Sequence, residues 1–170
     1  MPARRRATRI FAIGEISLLV PLLTLERRLR RTGGPGIIPF ELAGTPERAL
    51  QIMDRWGADG RSAARLSLLL DYPFLVSYSG LQRAGCRAAS DALRRSGATA
   101  LADVGPAVGV MQLAAGACDA FENTALLGVL ARRDDRLPAL ARHFAAAKFA
   151  LLTAGWTYLA LGLVSRLPLR

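Results

Sequence analysis

A chain of 170 residues would suit one soluble domain, but 52% hydrophobic content and a mean hydropathy of +0.26 stand beside a formal net charge of +10. Arginines cluster between apolar runs, which excludes an evenly patterned soluble surface and is the arrangement membrane spans require, with basic residues at the headgroups. The sequence pI of ≈ 11.2 does not point to nucleic acid, because no basic helix is interleaved with aromatic side chains.

Arg4, Arg5, Arg6 and Arg9 precede an apolar run from Ile10 to Leu25. The pattern is similar to a signal peptide, yet no small-x-small cleavage site follows; Glu26-Arg-Arg-Leu-Arg-Arg31 comes instead. An uncleaved first span is therefore expected over about 10–25. It is short against the ~20 residues a bilayer needs, and Glu15 and Pro21 weaken it.

A break at Thr32-Gly-Gly-Pro-Gly36 leads to the apolar stretch from Ile37 to Ala43. Thr45, Pro46 and Glu47 then supply an N-cap hydroxyl, a proline at the first helical position and an acid in the first turn. A helix is predicted over about 46–56, closed by Gly57. Ala49, Leu50, Ile52, Met53 and Trp56 form its apolar stripe, opposed by Arg48, Asp54 and Arg55. Too short and polar to cross a bilayer, it is expected at the interface or capping a bundle.

The second span is predicted over about 64–83, interrupted by Asp71. Pro73 removes an amide and leaves the Leu69 carbonyl without its helical partner, so a kink is expected beside a buried acid. The third span, about 104–131, is rich in small residues, and Gly105 and Gly109 have the spacing that lets helices approach closely. The fourth, about 140–165, carries Trp156 and Tyr158 as interfacial aromatics and His143 near its start. The expected fold is all-α: a membrane-embedded four-helix bundle, one domain over 1–170, with a short interfacial amphipathic helix between spans one and two. Arginines divide almost evenly between the two sides, so the positive-inside rule does not orient it.

Ionisable residues within apolar segments are costly and mark functional positions by default. Of 23 Lys and Arg residues only Lys148 is a lysine, and it lies in the most apolar run. The turn between spans three and four centres near Asp135, so Glu122 and Lys148, each 13 residues away, share a depth on antiparallel helices. Asp119, Glu122 and Asn123 fall at i, i+3 and i+4 on one helix face. Asp71 enters the same half of the membrane, and Tyr78 lies on its helix face. The candidate ligand- or proton-binding residues are therefore Asp71, Asp119, Glu122, Asn123, Lys148 and Tyr78, with Glu15 a more distant acid. One reading is a polar clamp that fixes helix register. The other is a proton, ion or small-ligand site, favoured by three acids set against one cation.

No nucleophile elbow, phosphate loop or Cys/His ligand spacing is present, so no catalytic residue, cofactor or metal is assigned. Cys86 and Cys118 read as small packing residues. The expected partners are the lipid bilayer, anionic lipids through the arginine clusters, and a small ligand or partner membrane helices. An accessory subunit of a membrane complex and a small membrane enzyme or transporter are the alternative functions. Arginine used almost to the exclusion of lysine, with abundant alanine, suggests GC-rich bacterial coding and a bacterial cytoplasmic membrane.

Several strings carry a further likeness: Phe40-Glu-Leu-Ala-Gly-Thr45, Ser67-Leu-Leu-Leu-Asp-Tyr-Pro-Phe74 with Tyr78, Asp119-Ala-Phe-Glu-Asn123 followed by Ala125-Leu-Leu127, and Ala147-Lys-Phe149. Over roughly 40–163 the chain resembles a set of small four-span bacterial integral membrane proteins without an assigned activity. The resemblance implies a four-helix membrane fold and adds no chemistry.

Overall fold

The computed structural model describes residues 2–166, with side chains from Arg5 onward. Its elements are α1 (Pro2–Arg31), α2 (Ile37–Glu41), α3 (Pro46–Arg95), α4 (Thr99–Asp103), α5 (Gly105–Leu130) and α6 (Leu137–Val164), with no strand among the described residues. Three stretches are long and apolar enough to cross a membrane: Arg5–Arg31, Thr99–Leu130 and Leu137–Val164. The first is longer than the expected 10–25, because helix continues through Pro21 and both arginine flanks. The 64–83 part of α3 is not among the three. Arg65, Asp71, Arg83 and several hydroxyl side chains lower its hydropathy.

Close contacts fix how the long helices run. α1 lies antiparallel to α3, with Gly14 against Ser77 and the Phe11 ring against Gly80, where an added Cβ would fall 2.7 Å from ring atoms. α5 is antiparallel to α3: Gly116 packs on Ser79 and Gly105 on Ser90. The small-residue stripe of α5 is thus used inside this chain. α6 returns antiparallel to α5 after a turn in which Arg132 takes a φ of 51°, and runs parallel to α3, with Gly162 against Ala89. The four long helices alternate in direction, up and down.

The predicted 46–56 helix is the first limb of α3. The Thr45 hydroxyl accepts from the Arg48 amide at 3.3 Å, and Pro46 occupies the first turn. Gly57 breaks the helix at φ 60° and ψ −162°, and the chain re-enters helix directly with no loop. Only a residue without a Cβ adopts that conformation readily. Pro73 lies inside the helix, and the one residue of α3 with non-helical dihedrals is Gly57. The limb buries Ala49, Ile52, Met53 and Trp56 against Leu25 and Leu29 of α1 and Leu126 and Val129 of α5, closing one end of the bundle.

α2 is held beneath that cap by its flanks. The Glu26 carboxylate accepts from the Ile37 amide at 2.9 Å, supplying the side-chain cap that Gly36 lacks. Trp56 Nε1 donates to the Pro35 carbonyl at 2.6 Å. The Phe40 and Trp56 rings meet at 4.9 Å, so the residue after Phe40 is directed into the bundle.

Candidate functional site

Lys148 is 6% exposed, on the face of α6 that meets α5. Its Nζ donates to Asp119 Oδ1 at 3.0 Å and lies 2.8 Å from Glu122 Oε2. The pairing that antiparallel counting predicts is therefore the shortest contact of the ammonium. A third carboxylate closes the group: Glu41 Oε2 of α2 lies 3.5 Å from Nζ. The Phe149 ring centroid sits 4.9 Å away.

The remaining sequence candidates form a second ring around this one. Tyr78 donates its hydroxyl proton to Asp119 Oδ2 at 2.8 Å, so both Asp119 oxygens are engaged. Asn123 Nδ2 donates to Asp71 Oδ2 at 2.7 Å. Asp71 thereby joins the cluster through Asn123 and makes no ion pair with Lys148 among the described residues. Glu15 stands apart on α1, its Oε2 buried without a partner. His143 is exposed, with its ring Nδ1 2.6 Å from the Ala139 carbonyl.

Glu41 is the member that sequence reasoning missed. Its one signal is an acid flanked by apolar residues from Ile37 to Ala43. That stretch lies outside every predicted span, and only the loop ties to Glu26 and Trp56 bring it to Lys148.

The electrostatics are unbalanced. Glu122 is fully buried, and Glu41 and Asp119 are nearly so, with one ammonium for the three. Glu122 Oε1 has no hydrogen-bond partner, and the Glu41 and Glu122 carboxyls are within hydrogen-bonding reach of each other. Two buried carboxylates do not remain adjacent without a proton or a donor between them. Burial raises the Glu41 carboxyl above its ordinary value, an effect that Lys148 partly offsets and Asp119 reinforces.

Among the described residues, no three His, Cys, Asp or Glu side chains are arranged to hold a metal ion. The cation that the carboxylates surround is Lys148 itself. The cavities at the cap, between α1 and α3 and beside α2 have neither Lys148 nor its acids in their walls. One of them, about 110 Å³, lies between the first limb of α3 and the α5–α6 turn.

No family model matches the chain, and neither a curated protein nor a solved structure matches it.

Proposed function

We propose that this chain is a polytopic integral membrane protein, of the bacterial cytoplasmic membrane, whose buried cluster holds a proton. The 64–83 segment of α3 is the fourth span, carried by packing against three more apolar helices. The first limb of α3 is the interfacial cap. The arginine clusters face anionic lipid headgroups. At the centre, Asp119 neutralises Lys148, and Glu41 and Glu122 share a proton beside that pair.

One observation carries the reading: a single ammonium within 3.5 Å of carboxyls from α2, and from two positions of α5. Such a cluster changes charge without a cofactor, and the change is felt at the α2 segment that Glu41 anchors. The alternative, a purely structural clamp, needs only one carboxylate for one lysine.

Stability against pH tests it. A carboxyl whose pKa is raised by folding contributes stability below its unfolded value, about 4.3 for glutamate. That contribution is lost as pH climbs through the folded value. The melting temperature of the detergent-solubilised protein should fall as pH rises through and above the ordinary carboxylate range, and Glu41→Gln should flatten the slope. Superimposable pH profiles for the two proteins would contradict the shared proton.

A further inference from the structure

Towards the end of the bundle away from Lys148, residues of α1 and α3, with Leu113 of α5, line an open groove of about 790 Å³. Their antiparallel pairing sets its composition. Beyond the contact of Phe11 with Gly80, the arginines before the first apolar run come level with those at and just past the end of the 64–83 segment. Arg5 and Arg9 stand on one wall and Arg83 and Arg87 on the other. Asp91 is the acid of the lining. Among the described residues none of the four guanidiniums forms an ion pair, and Arg83 is half-buried. The groove floor is apolar: Phe11, Ala12, Ala84 and Leu113 contribute to it.

We propose that this groove binds the phosphate headgroup of an acidic glycerophospholipid, with the proximal part of an acyl chain on its apolar floor. Four guanidiniums against one carboxylate leave a net charge that a phosphodiester complements. Their planar forks bind phosphate oxygens in pairs. The apolar floor distinguishes a lipid from a soluble anion, which would meet the arginines but leave that surface wet. The volume falls in the range of small-molecule sites, ~300–1,000 Å³. Basic pockets between membrane helices are known settings for anionic headgroups. The inference rests on the membrane reading above but not on the proton cluster.

The test measures the melting temperature of the full chain in neutral detergent. It is titrated with phosphatidylglycerol, diphosphatidylglycerol, phosphatidylcholine or inorganic phosphate at equal phosphorus. Acidic lipid near a hundredfold excess over its Kd should raise Tm by about 5 °C or more. Phosphatidylcholine and inorganic phosphate should not. Arg83→Gln/Arg87→Gln and, from the opposite wall, Arg5→Gln/Arg9→Gln should each weaken the lipid response at least tenfold. Arg132→Gln/Arg133→Gln, removing equal charge at the other end, should leave it intact.

Equal stabilisation by phosphatidylcholine would overturn the proposal, as would a lipid response undiminished in both groove variants. An equal effect of inorganic phosphate would replace the lipid by a soluble anion. Extraction of the protein from membranes by alkaline carbonate would instead defeat the membrane reading, so the two failures are separable.

Discussion

In Lys148→Met, Glu41, Asp119 and Glu122 face one another with no cation between them. Breaking a buried pair from one side costs about 3–5 kcal/mol, because the remaining charge is uncompensated. Here the surplus acids can take up protons, so the lower end, about 3 kcal/mol, is expected, read as a fall in Tm or denaturation midpoint in detergent. Glu122→Gln should cost less, since Asp119 still neutralises the lysine. Unchanged stability in both variants would refute the paired charge. The Lys148–Glu122 contact was legible in the sequence because two helices joined by a short turn bring residues equidistant from it to one depth. Glu41 was not, since a five-residue helix has no periodicity to read. Its place depends on a hydrogen bond that Glu26 accepts and one that Trp56 donates, 11 and 21 residues from their partners.

Among the elements, α2 depends most on its surroundings. Five residues cannot sustain a helix alone, and α2 persists because Glu26 caps it, the Trp56 indole holds Pro35 and Phe40 is buried. Trp56→Phe keeps an aromatic ring against Phe40 but removes the donor to Pro35, a loss of about 1 kcal/mol. Faster amide exchange confined to residues 35–43 should follow, with α5 and α6 unaffected. Uniform exchange changes, or none, would contradict the view that this bond seats Glu41. The cap of α3 shows the same division between local and distant signals. Thr45, Pro46 and Gly57 announced its ends, since caps and a positive φ are written in residue type. Helix runs on through Pro73, which costs one backbone hydrogen bond, whereas Gly57 leaves helical dihedrals altogether.

For the molecule as a whole, arginine and apolar blocks were enough to anticipate an all-helical chain with membrane-length helices. They did not separate the 64–83 segment from the other three, although it is less apolar than they are and packs against α1, α5 and α6. The small-residue stripe from Gly105 to Gly116 illustrates the same limit: its spacing permits close approach, and only the fold shows that α3 takes it. The architecture places its two charged features at opposite ends, an arginine-walled groove between α1 and α3 and an acid-rich cluster beneath the cap. The central claim is that the cluster retains a proton on a carboxyl while Lys148 stays charged. Infrared spectroscopy of the purified protein at neutral pH tests it most directly, through the carbonyl band of protonated carboxylic acids. The account predicts such a band in the wild type, lost in the Glu41→Gln/Glu122→Gln variant; a wild-type spectrum in which every cluster carboxyl is ionised would contradict it.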